Sequence, residues 1–405
     1  MPFAIALSGL NAASADLGVT ANNVANVNTT GFKMSRAQFS EVFAVGTQSV
    51  SSSASGSGVR LSAIAQQFTQ GNIDFTDNAL DLAIGGEGFF VISDNGARSY
   101  TRSGAFGVDN QGNVVNAQGA RLQAYPYAGN GLFNTGTPQD LQLTIGANPP
   151  QATTRASFGI NLPADAPPPA NPTFDPTDPA SFNHTTSVTV YDTLGAAHTA
   201  TVYFIKDAAP NTWNTEIEID GSPVTGAASV VFNPDGSLNS PAGGLMPLGA
   251  FTPTTGADPI SLSLDFGAAT QFGDNFGVNS LSQDGFTTGR LTGVSVDAEG
   301  VVFARFTNGQ STSLGKLALA NFVNPQGLQQ LGDTTWGESF QSGDALLGEA
   351  GTASFGNIQS GALEASNVDL TAQLVQMITA QRNFQANAQM ISTADTITQT
   401  VINIR

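Results

Sequence analysis

Two stretches at opposite ends of this 405-residue chain carry the same apolar stripe. Phe3, Leu7, Leu10, Ser14, Leu17, Ala21 and Val24 follow +4/+3 steps, and Leu370, Leu374, Met377, Gln381, Phe384, Ala388 and Ile391 repeat them. This spacing predicts two helices with narrow coiled-coil stripes. Past Ile391 the stripe continues as Ala394, Ile397, Val401 and Ile404, one step short of strict register. Such a slip overwinds a coiled coil locally without ending it, so the rear helix is expected to reach the last residue.

The flanks of both stripes are almost uncharged. Residues 1–30 contain only Asp16, and residues 365–405 contain Asp369, Arg382, Asp395 and Arg405. The exposed Glu/Lys pairs that support an isolated helix are missing, and Asn, Gln, Ser and Thr stand in their place. Helices of this kind suit burial among many copies, where unpaired charges would be costly to desolvate. They are expected to be poorly ordered in a free subunit and to fold on assembly. An ordinary intramolecular helix pair packed on the rest of the chain is the alternative. Gln381, the polar member of the rear stripe, is expected either to set helix register or to be simply exposed; Gln381→Leu tests the first.

Between the ends lies Gly-, Thr- and Asn-rich sequence with a β character. Charged residues make up 11% of the chain, with 45 Gly, 20 Pro and 26 Phe, a composition of β-rich modules with many turns. The net charge is −18, which argues against nucleic acid and anionic membrane as partners. It also implies that copies repel until short-range apolar contacts take over, so that added salt helps association. Without Cys there are no disulfides, thiol chemistry or Cys-based metal sites. Met1-Pro2 has no basic n-region after it, so no signal peptide is expected, and no apolar run approaches the roughly 18 residues of a membrane span. These rules alone would place the protein in the cytoplasm.

The pattern predicts an α+β multidomain fold, a terminal coiled-coil helix pair with nested, mostly β inner and outer modules. The helical domain is assigned to residues 1–32 and 364–405. Residues 33–70 read as a linker with a flexible loop or hairpin, including the low-complexity patch Ser49 to Gly58. An inner β domain follows over 71–145 and 285–363. Its strands begin with Leu80 to Ile84 and Phe89 to Ile92, with hairpin turns at Asp94-Asn95-Gly96 and Asp109 to Gly112. The Pro-rich stretch 146–183 is read as a boundary, and an outer β domain over 146–284 as an insertion in the inner one.

Sites of chemistry find little support. His184 and His198 have no converging partners in sequence. Nucleophile elbow, phosphate-loop and zinc signatures are missing. Asp109 to Asn113 and Asn233 to Gly236 lack the repeated carboxylates of calcium loops and read as turns. Asn28-Thr29-Thr30 and Asn183-His184-Thr185 fit a glycosylation acceptor pattern that is frequent by chance. The chain is expected to be no enzyme and to use no cofactor.

The end motifs carry a resemblance. Ser8 to Ala12, Asn22-Asn23-Val24-Ala25-Asn26 with Thr30-Gly31-Phe32-Lys33, Leu80 to Ile84 through Gly88-Phe89-Phe90, Gly361 to Asp369 with Glu364 and Asn367, and Gln381 to Gln385 together are similar to the flagellar rod and hook family of axial proteins. They cover about a third of the chain. The inserted module, opening at Ser187 to Gly195, resembles the hook branch. The resemblance implies a structural subunit of the bacterial flagellar hook, a homopolymer forming a flexible curved tube that transmits torque from rod to filament. A distal rod subunit and a β-rich surface adhesin are the alternatives. It further implies contacts with distal rod, hook cap and hook–filament junction proteins. Export would run through the flagellar type III apparatus without a cleaved signal, giving an extracellular location at the flagellar basal body and hook; this replaces the cytoplasmic expectation. Hinges for bending are expected near Lys33 to Gln70, Pro149 to Pro150 and Ser282 to Thr288.

Overall fold

The computed structural model describes residues 2–42, 56–143, 146–226, 228–352 and 354–403. Helix α1 spans Pro2–Ala25 and helix α2 Leu370–Asn403. Asp369 caps α2, its Oδ1 accepting the amides of Thr371 and Ala372, which satisfies two donors at the helix start. Ser49 to Ser55 of the low-complexity patch, and Ile404 of the rear stripe, lie outside the described residues.

One expectation needs correcting at α1. Over an 18-residue window Phe3–Ala25 reaches a mean hydropathy of 1.2, enough by length and composition to cross a membrane. The value comes from many Ala with spaced Leu, Ile and Val, and a search for continuous apolar runs overlooks it. In the fold, α1 packs along α2 and along a β-hairpin.

Residues 33–70, read as a linker with a flexible loop or hairpin, hold this hairpin. Ser35–Glu41 pairs antiparallel with Val59–Gln66, and the hairpin is pinned to α1 at both ends. Near the helix exit, Asn23 exchanges hydrogen bonds with the Ser35 backbone at 2.8 and 2.9 Å. Near the helix start, the Ser8 hydroxyl accepts the Val59 amide at 3.1 Å.

The chain divides into two compact units. Met1–Ile145, Gly293–Arg305 and Ser311–Arg405 form the first, and Gly146–Thr292 with Phe306–Gln310 the second. In the first, strand Ser311–Asn321 is the hub of a 13-stranded sheet among the described residues, pairing with Val301–Phe306, Arg121–Gly129, Phe89–Asp94 and Leu346–Glu349. Successive residues of a strand face opposite ways, and here both faces are covered. Phe90, Ile92, Leu317 and Leu319 enter one core; Phe89, Val91, Ala318 and Ala320 enter a second with Tyr100 and Trp336. The unbroken apolar run Phe89 to Ile92 follows from this two-sided burial.

In the second unit a meander, His184–Tyr191, Ala197–Lys206, Thr212–Ile219 and Ser229–Phe232, shares one core with a four-stranded sheet ordered Leu245–Pro247, Ser263–Asp265, Arg155–Asn161, Gly277–Gln283. Strict alternation along Thr212–Ile219 puts Trp213, Thr215, Ile217 and Ile219 inside. Within the Pro-rich stretch 146–183 lies Arg155–Asn161. This strand lies inside the sheet and fully buries Phe158 and Ile160. The entering and leaving segments bridge each other at Asn148–Gly289 and Gln151–Phe286, and Asp284 accepts the amides of Thr154 and Arg155. Neither segment is a free connector.

His198 is buried in this unit between two carboxylates, with Nδ1 2.6 Å from Asp220 Oδ2 and Nε2 3.3 Å from Asp192 Oδ2. Asp192 also accepts the Thr255 hydroxyl at 2.7 Å. Burial pulls the imidazole down, but the bonds to Asp220 and Asp192 outweigh it and leave His198 above its ordinary 6.5. A group whose pKa is raised on folding stabilises fully below its unfolded value and loses that contribution as pH rises through the folded one. The unfolding transition of this unit should therefore weaken as pH climbs above 6.5. Thermal melts of the full chain, taken from below pH 6.5 into the alkaline range, should show the slope in the wild type and a flat response in His198→Gln.

Candidate functional site

The residues singled out at the two ends converge on one junction. Glu364, fully buried, receives Lys33 Nζ on Oε1 at 2.6 Å and Arg102 Nη1 on Oε2 at 3.3 Å. Oε1 also accepts the Gly71 amide at 2.8 Å. Lys33 reaches the Thr69 carbonyl at 2.8 Å. Arg102 donates to the Gly86 carbonyl at 2.8 Å and lies over the Phe89 ring, 5.3 Å from its centre. Burial draws both cations below their ordinary pKa values, and Glu364 opposes the shift.

Asn367 completes the junction. Its Oδ1 accepts the Met34 amide and its Nδ2 donates to the Gln67 and Thr69 carbonyls. Gly31 sits at φ +69°, and a Cβ there would lie 2.4 Å from Ser103 N; its amide donates to the Glu364 carbonyl at 2.8 Å. A side chain at this turn would be strained and crowded. Phe32 is buried beside it. Asn22 and Asn26 bond to each other at the exposed helix exit. Of the expected hinge at Lys33 to Gln70, the Lys33 and Thr69 ends are thus tied into the body.

The helices pair antiparallel through a stripe one residue back from the expected one on α1. Ala6, Ala13, Thr20 and Asn23 are buried, Gly9 approaches Asn387 so closely that a Cβ would lie 2.5 Å from its Oδ1, and Asp16 accepts Gln376 Nε2 at 3.0 Å. Asn23 Nδ2 reaches Gln373 Oε1 at 3.1 Å. On α2, Ala380 is fully buried, with Gln373, Met377, Asn387, Ile391 and Ala394 half-buried. Small residues let the two backbones approach closely.

The large apolar side chains of the expected stripes divide between exposed and half-buried positions. Phe3, Leu7, Leu370, Leu374 and Phe384 are exposed, as is Gln381; Leu10, Leu17, Val24, Met377, Ala388 and Ile391 are half-buried. Beside Leu374, Val375 and Ile378 extend the exposed strip at 61% and 50%. Sequence reasoning overlooked Arg102 and the small-residue contact. Arg102 stands in no local pattern because its partner lies 262 residues away, and a search for large apolar residues passes over Gly9, Ala13 and Ala380.

Outside this region no group of three or more His, Asp or Glu that could hold a metal occurs among the described residues. Asp109 serves as a turn, accepting the amides of Gln111 and Asn113. Asn183, of the second acceptor pattern, is engaged on both sides, donating to Pro167 O and accepting from the Lys206 amide.

Comparison with known proteins agrees at both ends and between them. Residues 3–33 match the flagella basal body rod protein family, and 359–404 the flagellar basal body rod FlgEFG protein C-terminal family. Residues 83–167 match the flagellar hook protein FlgE/F/G D1 domain, and 161–286 the flagellar basal body protein FlaE D2 domain. The flagellar hook protein FlgE of Salmonella typhimurium is 40% identical over the whole of both chains. This chain belongs to the flagellar hook protein FlgE family. The Escherichia coli member is likewise 40% identical over the full length of both, and that of Borreliella burgdorferi 32% over 98% of each. The solved Helicobacter pylori flagellar hook protein FlgE2 shares the fold, with a TM-score of 0.53 at 15% identity over 72% of this chain and all of its own. The family is one of structural proteins.

Removing one partner from a buried ion pair leaves an uncompensated charge, which costs about 3–5 kcal/mol. Glu364→Gln and Lys33→Met are each expected to lower stability by about that amount in denaturant titration. Arg121→Met, which breaks an exposed pair with Asp140, should change it by under about 1 kcal/mol.

Proposed function

We infer that this chain is a structural subunit of a flagellar hook, polymerising through its terminal helices into a curved tube that carries torque from rod to filament. The observation that carries the reading is the outer face of the helix pair. Pairing through Ala6, Gly9, Ala13 and Ala380 leaves Leu7, Leu374, Val375 and Ile378 exposed, and an apolar strip of this kind marks an interaction surface. Neighbouring copies supply the cover, and the narrow stripes act as coiled-coil seams between subunits. The helices gain their full order on assembly.

Match over the whole length to relatives named hook proteins, the 161–286 segment included, favours hook over distal rod subunit and over a surface adhesin. On this reading the partners are copies of the chain, the distal rod, the hook cap and the hook–filament junction proteins. The subunit leaves the cell through the flagellar type III export apparatus and resides outside it. Gln381, exposed on the same helix, sets the register between copies.

Leu374→Glu combined with Ile378→Glu places two charges on the outer strip without entering a core. Helix content by circular dichroism should match the wild type when both are unassembled at low salt, while tube formation at rising salt, followed by electron microscopy and sedimentation, should fall to background. Tubes of wild-type yield from the double variant would exclude the strip as the polymer contact. Gln381→Leu should still polymerise but give tubes of altered or mixed geometry, measured from their diameters and curvature.

A further inference from the structure

We propose that His198 is the pin of a pH-operated latch: its imidazolium holds the loop 249–260 of the second unit shut, and its deprotonation lets that loop open. The device works in the single chain and does not depend on assembly. Three segments meet at the ring. Strand Ala197–Lys206 carries His198, the turn after His184–Tyr191 carries Asp192, and the turn after Thr212–Ile219 carries Asp220. Nδ1 stands 2.6 Å from Asp220 Oδ2, and Nε2 3.3 Å from Asp192 Oδ2. The loop closes over the site. The Phe251 ring meets the imidazole edge to face, with 5.8 Å between centres, and the Thr255 hydroxyl donates to Asp192 Oδ2 at 2.7 Å.

An imidazole with a carboxylate at each nitrogen has a use for two protons. Singly protonated, it donates on one side, and the other nitrogen turns a lone pair toward a carboxylate oxygen. Nδ1 makes the shorter bond and keeps its proton, so the loss falls on Nε2 and Asp192. The Asp192 side chain is fully buried, and a buried carboxylate deprived of its cation is unstable until water or another donor reaches it. Its Oδ1 is already held by the amides of Leu194 and Ala196 at 2.9 and 2.8 Å. Water therefore enters at Oδ2, on the side that Phe251 and Thr255 cover. Asp192 and Asp220 are the charged groups that act on the ring. Asp258, on the loop, takes part through its backbone amide, which donates to Thr193 Oγ1 at 3.1 Å.

The loop is the part of this cover that yields. His198 and the residues around Asp192 and Asp220 belong to a meander of long paired strands. The loop has shorter ties. Its base is bonded at Gly249, whose amide meets the Thr225 carbonyl, and at Phe251 and Ile260, which bond each other in both directions. Its tip is fastened by Thr255 and Asp258, and both of these ties run to one turn, at Asp192 and Thr193. A strain placed on Asp192 thus reaches both fastenings of the tip together. Opening uncovers Ala257 and Ile260, which are buried when the loop is shut. Local openings of this kind occur well below the cost of unfolding the whole unit.

The test is amide hydrogen exchange, read by NMR on the full chain kept unassembled at low salt, from below pH 6.5 into the alkaline range. Each rate is corrected for the intrinsic pH dependence of exchange. Protection of Asp258 and Ile260 should fall about tenfold or more on the alkaline side, while Val202 and Phe204, in the strand that carries the ring, keep theirs. His198→Gln should leave the loop open at every pH. Asp220→Asn separates the latch from a general loss of stability. Its Oδ1 still accepts the Thr199 amide, as Asp220 Oδ1 does, and its Nδ2 donates to Nδ1, so that the neutral ring keeps its proton on Nε2 for Asp192. That variant should hold the loop shut throughout. Unchanged protection across the pH range in the wild type would overturn the latch. So would a shut loop in His198→Gln, or an alkaline loss that persists in Asp220→Asn or spreads evenly over the unit. The hook reading, which is tested by assembly, stands or falls apart from these outcomes.

Discussion

The buried meeting of Lys33, Arg102 and Glu364 fixes how the two ends relate to the β body. A carboxylate taken out of water needs compensation on both oxygens, and Glu364 obtains it from two cations and the Gly71 amide. Each donor comes from a different part of the first unit: the exit of α1, the sheet, and the segment after the hairpin. The residues just beyond Glu364 lead into α2 through Asn367 and the Asp369 cap. One charge cluster thus orients both helices at their roots.

From those roots the helices run together on small side chains. A contact built from Ala and Gly contributes little apolar area, at about 25 cal/mol per Å², so most of the large Leu, Ile and Phe side chains keep their capacity for other contacts. On the proposed reading, stability of the single chain and association of copies fall to different faces of the same helices.

Much of this was legible in the sequence, for identifiable reasons. The +4/+3 spacing gave both helices, because a narrow apolar stripe has no other periodic meaning. The run Phe89 to Ile92 and the turn at Asn95-Gly96 gave a strand and its hairpin. In residues 33–70 the choice between loop and hairpin was not readable, because a hairpin laid against a helix needs no strong alternation, and its pins, Ser8 and Asn23, are ordinary polar residues. Arg155–Asn161 was hidden by the prolines on either side of it. Which face of α1 turns inward could not be read either, since hydrophobicity ranks Leu7 and Leu10 above Ala6 and Gly9, and backbone proximity reverses the order.

The junction also bears on when the fold can close. Lys33 and Glu364 stand 331 positions apart, and contacts of such separation must overcome chain entropy before they return any stabilisation. During synthesis the front of the chain emerges long before its partner exists. Strands with near neighbours can pair early, whereas the seat of Lys33 stays empty until nearly nine-tenths of the sequence has been made. Locking Lys33 to Glu364 therefore comes late, and a chain cut short before Glu364 cannot imitate it.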